Sequence, residues 1–256
     1  MGNKLKKFEE LKSFSNVIEP NISDLFSDNF PLKGKWNSIF FKNNNPIVLD
    51  VGCGKGEYII ELSKYFVNKN FIGIDKKGNR IYDAAKQALE NSLKNVAFVR
   101  CSAEFLNKIF NKNEIDEIII SFPEPQQKIK WHKRCFVSAQ YLNIYLSISK
   151  PNTIVHLKTD SNFLYYYTIE LLNLNNEPIL ENYQNIYEYK NLENIFLSIK
   201  TYYENIFLNN KITVKYLKWQ LSKNFYKEVS KEKLKELMFK YPRLIIDKRH
   251  NKVLSK

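Results

Sequence analysis

Short apolar runs alternate with longer amphipathic stretches from residue 46 to about residue 221. Four or five consecutive apolar positions bounded by turn residues read as a buried strand, and apolar positions recurring every three to four residues read as a helix. On that basis Ile47–Val51, Phe71–Asp75, Val96–Arg100, Glu117–Ser121 and Ile154–Lys158 are strands. Gly56–Phe66, Asn79–Ser92, the short Glu104–Phe110, Ala139–Ser149 and Phe163–Leu172 are helices. Lys150-Pro151-Asn152 ends the helix before it, since a proline cannot continue the turn. Strand–helix alternation of this kind predicts an α/β protein with a doubly wound, mainly parallel sheet. Thr213–Leu221 reads as one further, late strand.

The flanks have another character. Residues 1–45 are a polar, basic N-terminal segment that closes on the turn-forming Asn43-Asn44-Asn45-Pro46. Residues 46–221 make up the α/β domain, and residues 222–256 a basic C-terminal extension of no assigned role. Within the extension Glu228–Tyr241 predicts a charged, weakly amphipathic helix that Pro242 breaks. Lys248-Arg249-His250 and Lys252 then form a basic tail. No internal repeat and no Gly/Ser linker interrupts the chain.

The first predicted strand runs straight into a glycine loop, Asp50-Val51-Gly52-Cys53-Gly54-Lys55-Gly56. A dinucleotide fingerprint would be G-x-G-x-x-G, with its third glycine where this chain has Glu57. The glycines fall instead at Gly52, Gly54 and Gly56, two residues after Asp50. A carboxylate there is unfavourable beside a pyrophosphate and favourable beside a cationic sulfonium amino acid. The D-x-G-x-G-x-G pattern resembles motif I of the class I S-adenosylmethionine-dependent methyltransferases. Asp75 ends the second strand at the spacing of an acid that accepts ribose hydroxyls, although an Asp there can also cap the next helix. Ser102 and Glu104 follow the third strand, where an adenine edge would lie, and Glu104 equally suits a helix first turn.

The fourth strand ends in Ser121-Phe122-Pro123-Glu124-Pro125-Gln126-Gln127-Lys128. Ligands of open α/β sheets lie beyond the carboxyl ends of the strands. Two prolines restrict the backbone on both sides of Glu124, which holds that acid near the expected methyl donor. The Asn/Asp-Pro-Pro-aromatic element of amino-group methyltransferases is absent, which disfavours exocyclic amines as acceptors. Lys128, Lys130, His132, Lys133 and Arg134 follow, with Trp131 among them. Cations interleaved with an aromatic suit RNA phosphates and a splayed base. His132 is expected to face phosphate or solvent and not to act as a general base.

Composition narrows the partners. The 256 residues carry a net charge of +13, which points first to nucleic acid. Cys53, Cys101 and Cys135 lie far apart with no C-x-x-C pair, so neither zinc nor a disulfide framework is expected and a reduced cytoplasmic setting fits. No metal site is predicted. The basic opening Met1–Lys7 is not followed by an apolar stretch, so no secretory signal is expected, and no apolar run reaches membrane-spanning length.

Five pieces make the likeness specific: Leu49 to Gly56, Phe71-Ile72-Gly73-Ile74-Asp75, Phe122-Pro123-Glu124-Pro125, Leu157-Lys158-Thr159-Asp160 and Thr201-Tyr202-Tyr203-Glu204. Together with the opening Pro31-Leu32-Lys33-Gly34-Lys35-Trp36 they resemble the bacterial tRNA (guanine-N7-)-methyltransferase family over residues 1 to about 221. The resemblance implies a Rossmann-like class I fold whose late strand is antiparallel. It implies S-adenosylmethionine as cofactor, tRNA as partner, and 7-methylguanosine as product, at position 46 of the variable loop. It places cofactor contacts at Asp50, Gly52, Gly54, Gly56, Asp75, Ser102, Glu104 and Glu124. Glu124 and Asp160 become the catalytic acids, and Lys128, Asp160, Thr201, Tyr202, Tyr203 and Glu204 the substrate contacts. The family commonly has Asp-Pro-Trp where this chain has Glu124-Pro125-Gln126, an acid where it has Ser102, and an arginine where it has Cys135. A methyltransferase for another RNA or a small molecule, and a tRNA-binding protein with impaired catalysis, are the alternative readings.

Overall fold

The structure, a computed structural model, describes residues 3–189, 195–247 and 252–254. The basic tail Lys248-Arg249-His250 lies outside the described residues. The chain falls into two compact units, residues 1–120 with 147–153, and residues 121–146 with 154–256.

The first unit holds α1 (Asn3–Leu11), β1 (Val17–Ile18), α2 (Ile22–Phe26), β2 (Ile47–Val51), α3 (Glu57–Tyr65), β3 (Asn70–Ile74), α4 (Gly78–Glu90), β4 (Val96–Val99), α5 (Leu106–Ile109) and β5 (Ile115–Ser121). Its strands lie in the order β1-β4-β3-β2-β5, and every pairing is parallel. Parallel strands are covered on both faces, so they read as continuous apolar runs; β2, β3 and β4 are buried at every position. Residues 1–45 are part of this unit: α1 packs on α4, and β1 pairs with β4. The Pro31–Trp36 opening anchors the segment. Trp36 is fully buried and donates its Nε1 to the Ile109 carbonyl at 3.2 Å. The Gly34 and Trp36 amides donate to the Glu114 carboxylate at 2.9 and 3.2 Å.

The second unit holds most of α6 (Ala139–Ile148) and β6 (Ser149–Thr159), then α7 (Asn162–Leu174), β7 (Ile179–Tyr183), α8 (Ile195–Ser198), α9 (Tyr202–Asn209), β8 (Lys215–Gln220), α10 (Lys231–Lys240) and the hairpin β9 (Ile245–Asp247) and β10 (Lys252–Leu254). Here β6-β8-β7 is the strand order and both pairings are antiparallel, with Thr159 opposite Lys215 and Ile154 opposite Gln220. The eight strands β1–β8 are thus the mainly parallel set with a late antiparallel strand, β8, that the sequence predicts; β7, which the sequence reading missed, pairs antiparallel with β8 and so runs in the direction of β6. β7 escapes the apolar pattern because none of its five residues is fully buried. β6 starts five residues earlier than predicted. Pro151 is tolerated there because residues 150–152 are exposed and its missing N–H strands no buried acceptor.

Candidate active site

The cofactor side is built in the first unit. β2 delivers Asp50 at its end, and the loop turns through Gly52, Gly54 and Gly56 with φ of 77°, 58° and 65°. At Gly56 the requirement is twofold: the left-handed φ disfavours any side chain, and a Cβ would meet the Ala84 Cβ at 2.5 Å. The loop is held by the Gly52 amide, which donates to the Ile74 carbonyl at 2.8 Å. Asp75 follows β3. Its Oδ2 accepts from the Gly54 amide at 3.2 Å and its Oδ1 from the Lys77 amide at 2.8 Å, while Arg80 sits 3.7 Å away. These two bonds aim the carboxylate and leave lone pairs on both oxygens. Ser102 is half-buried and Glu104 exposed in the short turn after β4.

Asp50 is the informative residue of this half. Both of its carboxylate oxygens are buried without a hydrogen-bond partner. An unpaired buried charge is costly, so such a group takes up a proton or a cationic ligand. Burial first, and the nearby Asp75 charge second, push its pKa up to about 7. Asp50 therefore offers a buried acceptor to a cation.

The acidic side is built in the second unit. Phe122 and Gln126 hold positive φ of 47° and 53°, an uncommon conformation for either, around the Pro123-Glu124-Pro125 segment. The Phe122 amide donates to the Lys158 carbonyl at 2.8 Å. Glu124 is exposed, and its Oε1 is 2.5 Å from Nη2 of Arg243. Asp160 follows β6 and precedes Ser161, whose hydroxyl caps α7 by accepting from the Leu164 amide at 3.2 Å. Burial raises the Asp160 pKa; the Glu124 charge adds to that, and Lys215 and Arg243 oppose it. Lys215 on β8 donates to the Asp160 carbonyl at 3.0 Å, and burial lowers its own pKa to about 8.

Thr201 and Glu204 form a capping box that starts α9, each bonding the other's backbone amide. Glu204 is fully buried and 2.9 Å from the Lys158 ammonium, and the Tyr187 hydroxyl donates to it. Its carboxylate is thus engaged inside the protein, whereas Tyr202 and Tyr203, on the same first turn, are exposed. Lys158 also donates to the Ile199 carbonyl at 2.8 Å, so one buried ammonium ties β6 to the entry of α9. Sequence reading passes over Lys158 and Lys215; the signal that could find them is a lysine inside an otherwise apolar strand.

The basic run forms a turn over Ile129–Arg134. The Lys128 and Lys130 ammonium groups lie 4.5 and 5.2 Å from the Trp131 ring centre, and Lys133 and Arg134 are exposed. His132 corrects the expectation of a phosphate or solvent contact: it is buried, edge-on to Tyr167 at 4.5 Å, with Nε2 3.5 Å from Glu228. The tight turn points this ring inward, where it packs edge-on to Phe163 and Tyr167. Cys135 is fully buried and its thiol is pushed up to about 12 by burial. It packs the interior. Among the described residues no helix is long and apolar enough to cross a membrane, and no group of three or more His, Cys, Asp or Glu gathers as for a metal.

A family model described as a putative methyltransferase matches residues 44–217. The tRNA (guanine-N(7)-)-methyltransferase of Christiangramia forsetii is 44% identical over 219 residues, covering 86% of this chain and 98% of the relative. The protein of the same name from Porphyromonas gingivalis is 45% identical over 192 residues, covering 75% and 78%. The chain belongs to the tRNA (guanine-N(7)-)-methyltransferase family. Among solved structures, the 16S rRNA methyltransferase KamB superposes with a TM-score of 0.55 at 13% identity, covering 73% of this chain and 92% of that one. An antibiotic-related methyltransferase gives 0.51 at 18% identity, with the same coverage. These two likenesses speak to the fold.

As a member of the tRNA (guanine-N(7)-)-methyltransferase family the chain uses S-adenosylmethionine, and the first unit fits it. The unpartnered Asp50 suits the cationic methionyl end, and the aimed Asp75 suits the ribose. One consequence can be measured. Below about pH 7 Asp50 is protonated and neutral; above it the carboxylate attracts the cation. S-adenosylmethionine should therefore bind roughly eightfold more tightly at about pH 7.5 than at about pH 6, with proton release on binding. Titration calorimetry in two buffers of different ionisation enthalpy checks both; an affinity flat across that range would remove Asp50 from the cation's surroundings.

Proposed function

We propose that this protein transfers a methyl group from S-adenosylmethionine to N7 of a guanine in tRNA, forming 7-methylguanosine, with position 46 as the target. The observation that carries the reading is the 44% identity over nearly the whole length of a relative named for that reaction. S-adenosylmethionine, when bound, supplies the methyl as a sulfonium electrophile. Guanine N7 has a lone pair and no proton, so no side chain of the protein has to remove one. What remains for the chain is to orient the base and exclude water, the entropic part of catalysis.

The acids of the second unit suit that duty. Asp160 and Glu124 accept hydrogen bonds from the guanine N1–H and exocyclic amine, and their charge favours the cation that grows on the purine. Lys128 and Trp131 hold the flanking phosphate and a splayed base. Glu204 acts through Lys158 and the start of α9, because its buried carboxylate is already engaged. Tyr202 and Tyr203, exposed on that first turn, are the parts of the Thr-x-x-Glu element that meet RNA. A guanine stacked in folded tRNA must first be exposed, at a cost of a few kcal/mol that phosphate contacts offset. With tRNA as substrate, the cytoplasm is the working compartment.

The test is methyl transfer from labelled S-adenosylmethionine to unmodified tRNA, followed by nucleoside analysis. A 7-methylguanosine peak is expected. Label in an exocyclic amine would make this an enzyme for another site. Tight binding of tRNA and cofactor without any product would make it a binding protein.

A further inference from the structure

The extension beyond β8 is fastened to the second unit at several points. Tyr226 is buried; its amide donates to Asn143 Oδ1 at 2.8 Å and its hydroxyl to Glu177 at 2.8 Å. Glu228 accepts from the Tyr167 hydroxyl at 2.7 Å and from the Ala139 amide at 3.1 Å. α10, capped by Ser230, packs on α7 and on the basic turn at Ile129–Arg134, burying Leu234 and Leu237. At its end Tyr241 stacks on Tyr166, with centroids 4.4 Å apart and planes within 10°. The Tyr241 carbonyl accepts from Gln127 Nε2 at 2.6 Å. Pro242 then restricts the exit of the chain, and Arg243 arrives at Glu124.

The points of arrival are telling. The segment Glu124-Pro125-Gln126 is where this chain departs from the Asp-Pro-Trp common in the family, and its longer acid is what meets the guanidinium. The match to the Christiangramia forsetii relative covers 98% of that protein and 86% of this chain. The C-terminal extension and the Glu124 segment meet in one ion pair.

We propose that Arg243, carried by the C-terminal extension, is a positioning residue of the methyl-transfer site, which orients the longer Glu124 carboxylate and offsets the repulsion between Glu124 and Asp160. This rests on the functional reading given above. A guanidinium presents donors in a fixed plane, so it fixes a carboxylate's direction as well as its charge. The charged groups around Asp160 are Glu124, Lys215 and Arg243. Glu124 raises the Asp160 pKa and the two cations lower it, so loss of Arg243 leaves the acid pair less balanced. Both partners of the ion pair are half-exposed, and exposed pairs add little to folding stability. The anchors at Tyr226, Glu228 and Tyr241 keep the extension in place without it.

The test compares the full-length protein with Arg243→Gln and Arg243→Lys. Carbon-13 NMR titration follows the Asp160 carboxyl directly, and the pH profile of kcat/KM for tRNA methylation follows the reaction. In Arg243→Gln the Asp160 midpoint and the acidic limb of the profile should both move up, with an unchanged melting temperature. Arg243→Lys should restore the midpoint. An Asp160 titration that stays in place in the glutamine variant overturns the proposal, as does a shift that lysine does not reverse. Absence of methylation by the unaltered protein would count against the functional reading alone, because the NMR titration needs no turnover.

Discussion

Replacing Asp160 by Asn is expected to lower kcat/KM for methylation of unmodified tRNA by about 10²-fold or more, with cofactor affinity unchanged. Asp160 sits at the carboxyl end of β6, beside the Ser161 cap that starts α7 and above the Lys215 ammonium that holds its own carbonyl. Its position is thus determined by a strand end, a helix start and a buried cation. Asparagine keeps the shape and one acceptor oxygen. On the proposed reading it loses the negative charge that would offset the growing charge on guanine, and it presents an N–H₂ where an acceptor would be needed. If the cofactor is held by Asp50 and Asp75, as proposed, calorimetric affinity should stay within a factor of two or so of the parent. Single-turnover transfer and calorimetry on the same preparation check the split. Transfer within a few-fold of the parent would show that the guanine is held elsewhere.

Glu204→Ala should cost about 3–5 kcal/mol of folding stability, because it leaves the Lys158 ammonium buried without its partner. Lys158 is 2% exposed and Glu204 0%. The same change removes the reciprocal cap of α9, worth roughly another 1 kcal/mol. For a chain of this size the melting temperature should fall by roughly 10 °C. Burial already lowers the Lys158 pKa against the Glu204 charge, and without Glu204 only the lowering causes remain. The unfolded chain then binds a proton that the folded one gives up, so stability lost at neutral pH returns as pH rises toward the ordinary lysine range. Lys158→Met with Glu204→Leu should recover much of the loss, since an apolar pair of similar volume needs no compensation. Calorimetric melts at neutral and alkaline pH decide: a Glu204→Ala protein melting within about 1 °C of the parent would show that the ion pair carries nothing.

Local chemistry is legible in the chain alone. β2, β3 and β4 are runs buried on both faces, which is why their apolar residues are consecutive and their predicted limits agree with the fold to within a residue. The glycine loop is legible because only glycine readily takes three left-handed turns in five residues, and its Asp50 and Asp75 stand where strand ends must put them. α9 escapes the periodic pattern. It has eight residues, too few for a period of 3.6 to stand out, and its Thr-x-x-Glu, which the resemblance reads as substrate contacts, forms a capping box. His132 defeats sequence reading for a related reason: a single ring among cations carries no sign of which way a tight turn points it.

By itself, then, the sequence determined the α/β alternation, the glycine loop, the acids at the strand ends and the basic turn, because each depends on neighbours a few residues away. Tertiary structure alone decided that Glu204 meets Lys158, that Lys215 holds Asp160 from behind, and that the extension returns Arg243 to Glu124. Those pairings join residues far apart in the chain. They are chosen by which side chains are left with an unbalanced charge once the strands and helices have packed, and no local pattern of residues encodes that balance.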